Sequence, residues 1–354
     1  MLKVVIILAL LLVAALLSVV IFVNQKSFGR NPRGARLERM MKSPHYRDGE
    51  WRNEVPTVQM TSDKGFVATM WDFLFKEHPG TKPDHPVEVT KTDLHSLPDS
   101  TDCIVWFGHS SYLLRLSGRS VLVDPVFYQA SPVGFFNKPF DGTNVFTTDD
   151  IPDVDYLIIT HDHWDHLDYQ AVTELLPRVG KAVLPLGVGE HLEYWGYPAD
   201  KIVELDWNER WDDGGFTFHC LPARHFSGRG LKRNATAWAS FMVESPSLTV
   251  YCGGDGGYGP HFAKIGASFP TIDYAIIENG QYNTQWANIH TMPEHLSAVM
   301  TDLKAKHYIT VHHLKYALAF HSWDEPLRNE AAAAEKSGMP LTVLTIGKPE
   351  YLEK

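Results

Sequence analysis

Three histidines and an aspartate of ligand type crowd into His161-Asp162-His163-Trp164-Asp165-His166. Imidazole and carboxylate are the ligands that borderline divalent metals such as zinc prefer, so residues of these types at this spacing could hold metal. The apolar run Tyr156-Leu157-Ile158-Ile159 just before them reads as a buried strand. The cluster therefore falls where a strand opens into a loop. Non-regular backbone can turn alternate side chains inward, so His161 and His163 can grip one ion. Asp165 and His166, at the entry to the next helix, can grip a second. A solvated His/Asp loop is the plain alternative. Even in a chain with 18 histidines, a chance match to this pattern is roughly one in several hundred. A metal site is favoured.

The His-x-His-x-Asp-His run resembles the signature of the metallo-β-lactamase-fold hydrolases, and the later motifs appear in that family's order. His225 lies in Pro222-Ala223-Arg224-His225-Phe226-Ser227-Gly228-Arg229, and Asp255 in Gly253-Gly254-Asp255-Gly256-Gly257-Tyr258. His312 follows in Val311-His312-His313-Leu314-Lys315-Tyr316-Ala317-Leu318. Within the superfamily the chain is similar to the branch of N-acyl-phosphatidylethanolamine phospholipase D and its bacterial relatives. Gly108-His109-Ser110-Ser111 before a hairpin, the Gly-Asp-x-Gly-Tyr motif and Ile289-His290-Thr291-Met292-Pro293-Glu294 carry that similarity. It covers about residues 100–345.

The resemblance implies an α+β fold, the αββα four-layer sandwich in which two sheets pack face to face under outer helices. It implies two zinc ions, with iron or manganese as alternatives. One ion takes His161, His163 and His225, the other Asp165, His166 and His312, and Asp255 bridges them. Two such ions share a water, lower its pKa toward neutrality and yield a metal-bound hydroxide as nucleophile, with no covalent intermediate. Asp165 then orients the nucleophile and can pass a proton to the leaving group. His290 matches a family position at the active-site mouth, with a substrate or proton-transfer role set against a capping or buried one. His109, Arg229, Tyr258 and His321 are candidate substrate contacts; loop-holding, ion pairing and packing are their ordinary alternatives. Arg224 and Arg229 could meet a phosphate through forked hydrogen bonds. Three departures stand out. Position 256 is Gly where relatives often carry Ser or Thr. His313 competes with His312 as ligand, and the trailing Leu-Lys-Tyr-Ala-Leu favours His312. Glu278-Asn279-Gly280-Gln281-Tyr282 replaces the mammalian sequence.

Strands must position these residues. Ile104–Phe107 reads as one, and Tyr112–Leu116 and Ser120–Val123 flank a hairpin turn at Ser117-Gly118-Arg119. Asp124-Pro125 ends that unit. Leu167–Leu176 reads as a helix closed by Pro177, and Met292–Leu303 as a helix with Pro near its start. Phe216–Cys220, Leu248–Cys252 and Tyr274–Ile277 read as further strands.

Around this domain, 101–354, the chain adds an anchor, 1–26, and an extension, 27–100, that packs on or near it. Val4–Val23 is 20 residues broken only by Ser18. At ~1.5 Å per residue that is ~30 Å, the hydrocarbon thickness of a bilayer. A retained single-pass transmembrane helix is favoured over a signal peptide, whose apolar region is shorter and ends in a small-x-small site. Lys26, Arg30, Arg33, Arg36, Arg39 and Lys42 follow it, which by the positive-inside rule places the domain in the cytoplasm. The same flank could lie against anionic headgroups or simply be solvated. In the extension, Gly65–Phe75 reads as an apolar helix, either core packing or a membrane-facing, acyl-binding surface. With 354 residues, 44% of them hydrophobic, the chain can bury a large core. A formal charge of −10 argues against nucleic-acid binding. Cys103, Cys220 and Cys252 are too few and odd in number for a disulfide framework.

These readings converge on a membrane-anchored dinuclear zinc hydrolase, a phospholipase D-type phosphodiesterase of N-acylphosphatidylethanolamine-like lipids. Its partners are a lipid or small-molecule ester or phosphodiester and the bilayer, and a homo-oligomer is compatible with the pattern. A lactonase or other ester hydrolase of the same fold is the alternative enzyme. A non-catalytic membrane scaffold is the alternative from another class, disfavoured by seven intact ligand positions.

Overall fold

A computed structural model describes every residue except Met1, 63–67, Met70, Phe73, Leu74, Glu77 and Phe136. Leu2–Val23 is one helix of 22 residues with none of its side chains buried. Past Lys3 its one polar side chain is Ser18, whose hydroxyl returns to the Ala14 carbonyl at 2.8 Å. It is long and apolar enough to cross a membrane.

A short ladder pairs β1 (Tyr46–Arg47) with β2 (Glu50–Trp51). Two seven-stranded sheets follow. The first holds β3 (Cys103–Trp106), β4 (Tyr112–Leu116), β5 (Arg119–Val123), β6 (Val154–Ile158), β7 (Val179–Pro185) and β8 (Ile202–Leu205). The second holds β9 (Arg210–Asp213), β10 (Phe216–Leu221), β11 (Ser240–Glu244), β12 (Thr249–Cys252), β13 (Tyr274–Glu278), β14 (His307–Val311) and β15 (Leu341–Thr342). The C-terminal β16 (Pro349–Tyr351) returns to the first sheet, antiparallel to β3. Ser117 and Gly118 both have positive φ (48° and 80°), the backbone that a two-residue hairpin loop requires to follow strand twist.

Alternation along the strands creates three apolar layers, because successive side chains leave opposite faces. Ile104, Trp106, Leu114, Val121 and Ile158 point between the sheets and meet Phe218, Phe241, Val250 and Ile309. Val105, Leu113, Leu122 and Leu157 point outward under Ala171, Leu175 and Leu192 of helices Tyr169–Leu175 and Gly189–Trp195. Met242, Tyr251, Ala275 and Ile277 do the same beneath Leu296, Val299 and Met300 of helix Pro293–Leu303. The result is the αββα sandwich. All three cysteines are buried and free.

The extension lies against this domain. Met40, Trp51 and Val87 join the core between the sheets. Of the apolar helix expected over Gly65–Phe75, residues 65–67, 70, 73 and 74 lie outside the described residues. Trp71 and Phe75, which are described, are exposed.

Candidate metal centre

The strand ends deliver the site. Loops after β3, β5, β6, β10, β12, β13 and β14 carry His109, Asp124, the His161–His166 cluster, His225, Asp255, His290 and His312, and buried strands fix where each loop starts. Several of these residues hold left-handed backbone rare outside glycine: His109 (φ 54°), Asp124 (42°) and His312 (74°). Such strain gathers where the surroundings over-determine a conformation for chemistry.

His161 Nε2 lies 2.8 Å from His163 Nδ1, which lies 3.2 Å from His225 Nε2. The far sides of the rings determine what these nitrogens carry. His225 Nδ1 sits 2.7 Å from the Ile289 carbonyl oxygen, so it carries the proton and Nε2 presents a lone pair. His161 Nδ1 donates to the Thr160 hydroxyl oxygen at 3.0 Å, and that hydroxyl donates to Asp124 at 2.7 Å. His161 Nε2 is therefore also a lone pair. His163 Nδ1 can donate a proton to one of these lone pairs, or join both around a cation. Zinc–nitrogen bonds of 2.0–2.1 Å in tetrahedral array would space such nitrogens ~3.3 Å apart. Asp255 Oδ2 completes this group, 3.7 Å from His225 Nε2 and 3.9 Å from His161 Nε2.

A second group adjoins it. His109, Asp165, His166 and His312 offer ligand atoms all within 4.8 Å of one another. His166 Nδ1 donates to Asp124 Oδ2 at 2.7 Å, turning Nε2 toward Asp255 Oδ1 at 3.1 Å. His312 Nδ1 contacts Ser110 Oγ at 2.7 Å and Asp255 Oδ1 at 3.2 Å. The two Asp255 oxygens thus face different groups. The buried Nε2 atoms of His163, His166 and His312 and Oδ1 of Asp255 have no hydrogen-bond partner. Buried polar atoms are seldom left so, and finding them on residues of ligand type fits metal binding.

Electrostatics agree. Burial pushes the His161, His225 and His312 imidazoles well below the usual histidine range and His163 down to about 4, so all four stay neutral. Burial opposes ionisation of Asp255 and Asp165, yet His166 above all, aided by the His109 hydrogen bond to Asp165, holds both far down as carboxylates. Burial disfavours charge on His166 too, but Asp255, Asp165 and Asp124 outweigh it and raise its pKa.

The other expected residues divide. His290 lines the cleft above the cluster, its Nδ1 3.0 Å from Glu278 Oε2 and its ring stacked 5.5 Å from His312. His109 is wholly buried, its Nε2 2.9 Å from Asp165 Oδ2 and its ring 4.0 Å from that of His312. Arg229, Tyr258 and His321 are not brought to the cleft. Arg229 is buried against Trp164 and donates to the carbonyls of Asp162, Leu167 and Ser27. Tyr258 donates to Asp302 at 2.9 Å, and His321 Nε2 accepts from the Gln281 amide at 2.8 Å. Arg224 donates to the Tyr258 carbonyl. His313 turns away to Thr310 and Trp106, leaving His312 in the cluster.

Asp124, Ser110, Glu278 and Asn53 take site roles that the sequence did not announce. Asp124 and Glu278 each close an apolar strand with a buried carboxylate, which is a usable signal. Burial pushes Glu278 up to about 7 despite His290, and His290 is itself raised by Glu278 against the effect of its own burial. Asn53, from the extension, clamps the His225 backbone with two hydrogen bonds of 2.8 and 3.1 Å. Gln59, Met60 and Thr69, also from the extension, wall a cleft of about 260 Å³ together with Phe226, Trp286, Ile289 and Leu318.

Residues 119–313 match the model of the Beta-lactamase superfamily domain. An uncharacterized protein of Mycobacterium tuberculosis is 38% identical over 309 residues, 85% of this chain and 82% of that one. The N-acyl-phosphatidylethanolamine-hydrolyzing phospholipase D 1 of Caenorhabditis elegans is 32% identical over 247 residues, 66% of this chain and 68% of its own. Among solved structures, Igni18, a metallo hydrolase from Ignicoccus hospitalis, superposes with a TM-score of 0.55 at 18% identity, covering 72% of this chain and 99% of that one. The chain belongs to the beta-lactamase superfamily, with the metallo-β-lactamase fold, and is a metal-dependent hydrolase.

Proposed function

We propose that the protein is a membrane-anchored phospholipase D-type phosphodiesterase that cleaves N-acylphosphatidylethanolamine-like lipids with two zinc ions. The observation that carries the reading is the pair of adjoining ligand groups, with unpartnered buried atoms among them, beside a largely apolar cleft. His161, His163 and His225 would hold one ion, Asp165, His166 and His312 the other, with Asp255 between them. Imidazole with carboxylate is a donor set for zinc, and iron or manganese would fit it less selectively. When bound, the ions supply Lewis acidity toward the phosphoryl oxygen and acidify a water.

The chain's own residues do the rest. Asp165, held by His109, is an ionised carboxylate that orients the attacking water and accepts its proton. His290 keeps Nδ1 on Glu278, which leaves Nε2 to hand a proton to the departing alkoxide. Water adds at phosphorus, the bond to the ethanolamine oxygen breaks, and phosphatidic acid and an N-acylethanolamine leave. Met60, Phe226, Trp286, Ile289 and Leu318 accept the acyl portion and exclude bulk water. The relative from Caenorhabditis elegans, named for this lipid, supports the substrate class. The helix Leu2–Val23 would hold the site beside an insoluble substrate, raising its local concentration. The basic residues after it favour a cytoplasmic domain.

The test is turnover by the metal-loaded full chain of N-acylphosphatidylethanolamine in mixed micelles, beside bis(p-nitrophenyl) phosphate and a lactone panel. Phosphodiester cleavage is expected, with close to two transition ions per chain by metal analysis. Lactone opening without phosphodiester turnover sinks the reading in favour of an esterase, and a folded, metal-free chain leaves only a scaffold. His163→Ala is expected to lose one ion and nearly all activity while still folding.

A further inference from the structure

The exit of the N-terminal helix and the rim of the cleft lie on one face. Phe22, in the last turn of the helix, packs edge-on against Phe28 at 5.2 Å, and Phe28 packs likewise on Trp164 at 5.0 Å. Gly230 sits directly over Phe28, so that a Cβ there would fall 3.8 Å from Phe28 Cδ1. From Gly230 the loop runs through Leu231 and Lys232 to Arg233, which lines the cleft and lies over the Phe226 ring. Leu231 is 84% exposed, the most of any large apolar side chain described.

The joint between helix and domain is stiff. Trp195 Nε1 donates to the Lys26 carbonyl at 2.7 Å, and Arg229 donates to that of Ser27 at 2.9 Å. Arg30 and Arg36 both clasp the buried Glu190, at 2.6 and 2.7 Å, and Arg36 reaches Glu204 as well. Gly29 presses so close to His191 that a Cβ would fall 2.0 Å from Nδ1. The chain leaving the helix is therefore held firmly to the domain from Lys26 onward, which keeps the helix exit close to Phe28 and Trp164. A helix of 22 residues rises ~33 Å and spans the hydrocarbon, which puts its last turn at the headgroup boundary. The headgroup layer is itself ~5–8 Å deep on each side, within reach of the loop that touches Phe28.

We propose that the loop Gly230–Arg233 is a membrane-docking element that buries Leu231 in the leaflet at the helix exit. Lys232 meets lipid phosphate there, and Arg233 stands at the cleft mouth. The occupant of this surface is the bilayer that the helix crosses, because the exposed leucine follows Gly230, which sits beside Phe28 at the helix exit. A lipid then enters the cleft from its own leaflet. The proposal rests on the anchor reading above but not on the substrate.

The three native cysteines are buried, so a cysteine introduced at the surface can be labelled selectively. The full chain is reconstituted in phosphatidylcholine–phosphatidylglycerol vesicles with an environment-sensitive maleimide fluorophore at Leu231→Cys, Leu12→Cys or Val343→Cys. Val343, exposed beside the edge strand β15, serves as the aqueous reference. The probes at 231 and 12 are expected to shift to the blue and to be quenched by nitroxide-bearing lipid, and the probe at 343 to show neither. A probe at 231 that behaves like the one at 343, while 12 is quenched, overturns the docking element and leaves the anchor standing. An unquenched probe at 12 removes the anchor and the docking with it.

Discussion

Asp124 and Arg229 illustrate how little a side chain's type says about its role until its partners are known. Asp124 accepts from the Thr160 amide at 2.8 Å, the Thr160 hydroxyl at 2.7 Å and His166 Nδ1 at 2.7 Å. It thereby fixes the tautomers of His161, through Thr160, and His166 at once. Asp124→Asn keeps the shape but places an amide donor against groups that need an acceptor. Metal affinity is expected to fall ~10–100-fold, read by competition with a chromogenic chelator; unchanged affinity would remove Asp124 from this role. Arg229 reads in the sequence as a phosphate contact, yet burial pulls its pKa down to about 10 and its donors are spent on backbone carbonyls. Arg229→Ala leaves those buried carbonyls without partners. A loss of about 3 kcal/mol is expected in urea unfolding, since each lost group costs ~1–3 kcal/mol. A raised KM with unchanged stability would instead restore the substrate role.

At the scale of elements, helix Glu325–Ser337 sets Glu330 beneath β14, against Thr310 and 3.9 Å from His313. Burial raises the Glu330 carboxyl to about 7, and His313 is held neutral, its pKa driven down by burial to about 3. Below ~pH 4.5 the carboxyl is protonated in both folded and unfolded chains and costs nothing. As pH rises toward 7 the unfolded chain ionises first, so up to ~3 kcal/mol of stability is lost over that window. Glu330→Gln keeps the contact with Thr310, and urea unfolding at pH 5 and 8 should show a smaller difference for it than for the parent. An identical difference in both proteins would assign the slope to other groups. Neither this helix nor β14 stands out in the sequence, because Glu325–Ser337 is alanine-rich with few buried positions and β14 follows a lysine-bearing turn. The strands that were legible, such as Ile104–Phe107 and Tyr274–Ile277, are continuous apolar runs, as burial on both faces demands. The ligand cluster was legible because its spacing is chemical. Asp124, Ser110 and Glu278 were not, since each acts through a partner distant in sequence that only the tertiary fold supplies.

The whole molecule is assembled around a buried cluster of imidazoles and carboxylates, and this makes its stability conditional on pH and metal. His161, His225 and His312, held well down by burial, and His163, at about 4, stay neutral in the folded chain, whereas an unfolded histidine titrates near 6.5. Below that pH the unfolded chain takes up more protons than the folded one, so these four groups make stability fall on acidification. His166, raised by three carboxylates against its burial, acts oppositely and is outnumbered. Metal requires the same neutral imidazoles, so protons compete with it as well. Free metal at a thousand times its Kd stabilises by ~4 kcal/mol, a rise on the order of 10 °C in Tm for a domain of this size. Scanning calorimetry of the detergent-solubilised chain should therefore show a large drop in Tm on chelation at pH 7.5. The gap between loaded and chelated forms should narrow toward pH 5, and hydrolysis should fade below about pH 6 as occupancy is lost. One Tm with and without chelator at pH 7.5, or activity flat down to pH 4, would mean that these imidazoles hold no ion and are linked only by hydrogen bonds.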